Sequence, residues 1–140
     1  MRAYEYRHTV GFEETNLVGN VYYVNCVRWQ GRAREMFLKE YAPEILKELE
    51  RGLALATVRC SCEYLDEIRA FEEVVIQMSL SALSQNRITL QFEYLCDRDG
   101  TRKTVALGEQ QIACMRHDGK ESFPIAVPLS LREAFESFSM

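Results

Sequence analysis

The sequence predicts an α+β fold in which a five-stranded antiparallel sheet wraps around one long helix. Three observations predict it. Apolar residues alternate with polar or small ones in five separate stretches, the period of strands with one covered face. One stretch, Val21 to Tyr41, carries its apolar residues at helical spacing instead. A single strand precedes that helix and four follow it, punctuated by turn signals, so the strands have chiefly one another to pair with.

Tyr4 to Val10 alternates and reads as the first strand. Gly11 to Asn20 is a polar, glycine-containing loop that opens straight into the helix. A helix N-terminus leaves unpaired N–H groups, and a partial positive charge, facing whatever sits in front of it. A loop carrying Asn16 and Asn20 ahead of such an end is a place to hold a carbonyl oxygen or an attacking water. Along the helix, Asn25, Arg28, Arg32, Glu35 and Lys39 project to one side, and Val24, Val27, Gly31 and Leu38 to the other. Arg34 falls inside that apolar stripe, between Val27 and Tyr41. A guanidinium there pairs with a carboxylate, snorkels to an edge or faces a cavity. Arg28 and Arg32 read as solvated.

Pro43 starts a short helix, Glu44 to Arg51, which Gly52 stops. Three alternating stretches follow: Ala54, Ala56, Val58, Cys60, Cys62 and Tyr64; then Val74, Ile76, Met78, Leu80 and Ala82; then Ile88, Leu90, Phe92, Tyr94 and Cys96. Asp97-Arg98-Asp99-Gly100 is a hairpin turn into a last long strand, Val105 to Met115. On that strand Thr104, Ala106, Gly108, Gln110, Ile112 and Cys114 share a face. Ser130 to Phe138 predicts a terminal helix. The order predicts an antiparallel meander, which Gly31 and Ala33 let the helix approach closely. One helix cannot cover five long strands, so a homo-oligomer, dimer or tetramer, is expected.

Composition bounds the function. The 140 residues predict one domain, 1–140. A net charge of -4, with the 17 Lys and Arg dispersed, gives no basic footprint for nucleic acid. No apolar run is long enough to cross a membrane. Met1 to Arg7 lacks the apolar centre of a signal peptide, so a cytoplasmic location is expected. Five cysteines, an odd number without C-x-x-C, argue against a disulfide framework and a four-cysteine zinc site. They read as small buried hydrophobes. With only His8 and His117, no metal is expected and no cofactor is implied. There is no G-x-S-x-G elbow, P-loop or dinucleotide fingerprint. Glu13 and Glu14 could supply a general base, but a charged pair in a loop usually faces water.

The run Thr15-Asn16-Leu17-Val18-Gly19-Asn20-Val21-Tyr22-Tyr23, with Arg28-Trp29-Gln30-Gly31-Arg32-Ala33-Arg34-Glu35 behind it, resembles the hotdog-fold thioesterases of the 4-hydroxybenzoyl-CoA thioesterase-like kind. The resemblance covers nearly the whole chain. Many members have Asp where this chain has Asn16, and Gly-His where it has Gly19-Asn20. That departure removes the usual carboxylate. The same run, together with Gln111 to Arg116, is similar to the enediyne polyene thioesterases, which act beside an iterative polyketide synthase. In those an Asn and an Arg carry the site, and the motif places them at Asn16 and Arg34.

The resemblance implies a hydrolase acting on a polyene, β-ketoacyl thioester of an acyl carrier protein. Asn16 and Arg34 are its expected catalytic residues. Gly19, Asn20, Val21, Tyr22 and Tyr23 are its expected substrate-binding stretch, with backbone N–H groups near Val21 to Tyr23 facing the oxyanion. An apolar tunnel lined by residues such as Tyr23, Trp29, Phe37 and Met78 is expected beside the helix. A general acyl-CoA thioesterase, or a hotdog module that binds acyl groups without hydrolysing them, are the alternatives.

Overall fold

A computed structural model describes residues 2–139; of the predicted domain, Met1 and Met140 lie outside the described residues. The elements are β1 (Tyr4–Thr9), a 3-10 turn (Phe12–Glu14), α1 (Val24–Tyr41), α2 (Pro43–Leu49), β2 (Leu53–Tyr64), β3 (Glu73–Leu83), β4 (Arg87–Arg98), β5 (Thr101–His117), β6 (Ser122–Pro124) and α3 (Leu129–Glu136). The five predicted strands are present and all pair antiparallel. The short β6 is additional and pairs with the end of β5.

The strand order is β1-β3-β4-β5-β2, so only β3 to β5 form the expected meander. β2 crosses to the far edge beside β5, and β1 pairs with β3. The connection from Tyr64 to Glu73 spans residues 65–72. Eight residues reach up to about 26 Å, more than the roughly 14 Å across three strand spacings, so the crossing is easily made.

The sheet curls around α1, the hotdog arrangement. Its inner face carries Ile76, Met78, Leu90, Phe92, Tyr94, Ala106, Ile112 and Cys114, all buried. α1 covers them with Cys26, Trp29, Gln30, Ala33 and Phe37. This stripe is rotated from the predicted one. Val24 is exposed, Val27 and Gly31 are only partly covered, and Asn25 is buried. The polar Gln30 lies within the covered face, and its place there hides the true stripe from a count of apolar residues. α3 closes the open end, where Phe135 stacks on Phe37 with ring centroids 4.7 Å apart. Each such buried aromatic contributes roughly 1.5–3 kcal/mol.

β2 corrects a second expectation. Its register slips between Thr57 and Arg59, leaving Val58 as the extra residue of a bulge. Leu53, Leu55 and Thr57 therefore share the inner face with Cys60, Cys62 and Tyr64, whereas Ala54 and Ala56 face outward. Most of β2 is exposed, Val58, Cys60 and Tyr64 included. Cys60 is thus not the buried thiol expected; Cys26, Cys96 and Cys114 are buried. No helix of the described residues is long and apolar enough to cross a membrane.

Candidate active site

The loop between β1 and α1 folds back on itself. Thr15 and Val21 form an antiparallel bridge, the Asn16 N–H donates to the Asn20 carbonyl at 2.7 Å, and Gly19 turns the chain at φ +86°. That φ suits glycine, which has no Cβ to clash. Asn16 is exposed, and its Oδ1 accepts the N–H groups of Val18 (3.0 Å) and Asn20 (3.2 Å). The oxygen of the amide is thereby spent on shaping the turn. Its Nδ2 has no partner among the described residues and is left to donate outward. Asn16 lines an open basin of about 850 Å³ with Phe12, Leu17, Val18 and Tyr22.

Helix α1 starts at Val24, three residues later than predicted, and its N-cap residue Tyr23 makes no side-chain cap. The expected oxyanion donors shift accordingly. The Val21 N–H is spent on the Ile68 carbonyl and the Tyr22 N–H on the Glu14 carbonyl, at 2.7 and 2.8 Å. The N–H groups of Asn25 and Cys26 turn back to Tyr22 and Tyr23. Tyr23 and Val24 retain N–H groups without acceptors among the described residues. They sit at the positive end of the helix, the geometry that stabilises a developing oxyanion.

Arg34 lies half-buried on the flank of α1. Its Nη1 makes both of its hydrogen bonds, donating to Thr57 Oγ1 and Gln110 Oε1 at 3.2 Å each. No carboxylate lies within ion-pairing distance of it among the described residues, so the salt bridge left open by the sequence is absent. Desolvation lowers its pKa, only partly opposed by Glu35. A relay continues inward: Gln110 Nε2 donates to Gln30 Oε1 (3.3 Å), and Gln30 Nε2 to the Ser61 carbonyl (2.9 Å). Gly108 makes room for it, because a Cβ there would stand 2.2 Å from Gln30 Nε2.

Asn16 and Arg34 share no contact within the chain. Val24 and Arg34 alone are separated by roughly 15 Å along the helix axis. Arg34 and the start of α1 nevertheless both lie beside β2, since Arg34 bonds Thr57 while Tyr64 Oη donates to the Tyr23 carbonyl at 2.7 Å. Of the expected tunnel lining, Tyr23 is exposed, whereas Trp29, Phe37 and Met78 are buried core and do not line the basin at Asn16.

A family model described as the thioesterase-like superfamily matches residues 10–135. The chain belongs to that superfamily. A solved dynemicin thioesterase, described for its polyene binding, is 42% identical, covers 99% of this chain and 98% of its own, and superposes with a TM-score of 0.94. A 4-hydroxybenzoyl-CoA thioesterase, as an Asp-to-Asn variant holding 4-hydroxybenzoyl-CoA, is 18% identical over 96% of this chain and 99% of its own, with a TM-score of 0.86. A gentisyl-coenzyme A thioesterase is 21% identical over 94% and 98%, with a TM-score of 0.77. This hotdog thioesterase is accordingly a thioester hydrolase.

The loop of the thioesterase holds one group whose surroundings differ from the sequence expectation. Glu14 does not face water; its side chain is 17% exposed. Oε1 accepts the Gly11 N–H at 2.8 Å and lies 2.7 Å from His8 Nε2, and Oε2 accepts the Trp29 Nε1–H at 2.9 Å. Burial raises its pKa, but the bonds to Gly11, His8 and Trp29 outweigh that and hold it below its ordinary value. Only the spatial meeting of β1, the loop and α1 reveals this. Thr57, Gln30 and Gln110 also went unread, although two glutamines in apolar stripes were a signal. Among the described residues no cluster of three or more His, Cys, Asp or Glu gathers to hold a metal.

Proposed function

We propose that this thioesterase releases a polyene, β-ketoacyl chain from the acyl carrier protein of an iterative enediyne polyketide synthase, acting in the cytoplasm. The observation that carries the reading is Arg34, a half-buried cation held by neutral partners with Nη2 and Nε uncommitted. Such a guanidinium suits an acyl chain that brings or develops negative charge, as a β-keto thioester and its carboxylate product do. The 42% identity to a thioesterase described for polyene binding supports the same chain type.

In the proposed mechanism the thioester carbonyl lies before the free N–H groups of Tyr23 and Val24. Asn16 Nδ2 donates to the attacking water or to the oxyanion. Water oxygen bonds to the carbonyl carbon, the carbon–sulfur bond breaks, and the water proton leaves with the phosphopantetheine thiol. A thioester is activated enough to need no protein nucleophile, and the stretch Gly19 to Tyr23 shapes the approach.

The acting form is proposed to be a homo-oligomer built on a dimer. Thr57 and Tyr64 are separated by roughly 23 Å along the exposed edge β2. Two copies of that edge paired antiparallel about Cys60 and Ser61 set Thr57 of one against Tyr64 of the other. Arg34 of one copy then approaches the Asn16 loop of its mate. The exposed Val58, Tyr64 and Leu65 are apolar surface for such a seam.

The test supplies a carrier-bound β-ketoacyl chain and the matching CoA ester side by side. The carrier-bound chain is expected to give the higher kcat/KM. Asn16→Ala is expected to lower kcat about 10²-fold, the usual cost of one oxyanion donor. Equal use of both esters would remove the carrier assignment, and a well-folded Asn16→Ala at the parent rate would remove the site.

A further inference from the structure

Five hydrogen bonds converge on Glu14, from three parts of the chain. Its carboxylate accepts the N–H groups of Gly11 and Trp29 and the Nε2–H of His8. Its carbonyl accepts the Tyr22 N–H at 2.8 Å and the Asn25 Nδ2–H at 2.8 Å. β1 contributes His8, α1 contributes Asn25 and Trp29, and the two legs of the loop contribute Gly11 and Tyr22. Glu14 thus ties both legs of the loop to β1 and to α1.

We propose that Glu14 is the positioning residue of the Asn16 loop, setting the distance between the Asn16 amide and the open N–H groups of Tyr23 and Val24. Asn16 follows it by two residues on one leg, and Tyr23 follows its partner Tyr22 on the other. A shift of the carboxylate moves both legs together, because the Thr15–Val21 bridge and the Asn16–Asn20 bond couple them. The inference rests on the reading of Asn16 as a group that meets the thioester.

The rival role is general base, as the usual family carboxylate would suggest for any acid in this loop. The hydrogen bonds argue against it. Oε1 carries two donors and Oε2 one, and the side chain is largely covered. A base needs an oxygen open to the attacking water.

Glu14→Gln tests the proposal, because the amide preserves size but turns one acceptor into a donor facing either Trp29 or His8. The measurements are kcat and KM on a β-ketoacyl-CoA ester, thermal melting, and hydrogen exchange of the Val18 and Asn20 amides, which Asn16 Oδ1 holds. The expected result is a kcat lowered about tenfold or more, since misplacement of about 1 Å at a reacting centre costs on the order of 10²-fold. KM is expected within about twofold of the parent. Exchange of both amides is expected to quicken relative to the rest of the sheet.

Parent kcat with slow exchange overturns the proposal. So does abolished turnover with Val18 and Asn20 exchanging at the parent rate, which would make Glu14 a base. If Glu14→Gln fails to fold, Trp29→Phe removes one donor and keeps a ring; quickened exchange of the same two amides supports the role and parent exchange overturns it. Asn16→Ala, run alongside, separates the two readings. At the parent rate it overturns the site and the role of Glu14 together; slow, with Glu14→Gln at the parent rate, it overturns the role of Glu14 alone.

Discussion

Arg34 keeps its charge in a half-buried position against a hydroxyl and an amide, and that choice of partners sets what its removal costs. Breaking a buried ion pair strands the other charge and costs about 3–5 kcal/mol. Here nothing charged is stranded, and the desolvated cation is itself a strain on the fold. Arg34→Ala is therefore expected to stay within about 1.5 kcal/mol of the parent in urea melts while kcat falls about 10²-fold. Arg34→Lys can still reach Thr57 and Gln110 with one nitrogen, but has no fork left to offer, so it is expected to hold stability without restoring kcat. Glu14 behaves oppositely. Its carboxyl sits below the ordinary value of 4.5 in the folded protein, so it contributes stability above that value and loses it as pH falls through the lowered one. Urea melts taken downward in pH from the ordinary value of 4.5 are expected to show the parent weakening more than Glu14→Gln. A motif singled out Asn16 and a helix position singled out Arg34, and the partial burial of Arg34 was readable from that position. The burial of Glu14 was not, because it depends on His8 and Trp29, which no spacing brings together.

At the scale of elements, one contact of α1 with the sheet, that of Gln30, depends on a glycine. Gly108 lies under Gln30, and a methyl there would meet Gln30 Nε2 at 2.2 Å and the Ser61 carbonyl at 3.1 Å. Gln30 is buried and cannot swing to water. Gly108→Ala is expected to cost about 1–3 kcal/mol, as overpacked cores do. It is also expected to lower kcat, since Gln110 loses the neighbour that orients it toward Arg34. Gln30→Ala in the same background is expected to recover part of the stability in denaturant titrations. The long strands and the long helix were readable from period alone. Three features were not. The bulge at Val58 inverts the phase of β2 without breaking the alternation of residue types; Gln30 masks the covered stripe of α1; and the crossing of β2 needs only a connector long enough, which many topologies would accept.

At the scale of the molecule, the chain presents an edge strand of 12 residues, from Leu53 to Tyr64, most of it exposed. Long uncovered edges are a hazard that proteins usually blunt, and here the proposed seam uses it instead. If that proposed dimer forms, Arg34 serves one end of the edge and the Asn16 loop of the mate meets it, so each proposed reaction centre draws its two halves from different chains. Two inactive proteins should then repair each other. Subunits of Asn16→Ala mixed with subunits of Arg34→Ala, and allowed to exchange, form hybrids in which one centre inherits both lesions and the other inherits none. With random exchange about a quarter of the parental turnover is expected to reappear from parents that had almost none. A mixture that stays as slow as its components would mean that each chain works with its own arginine.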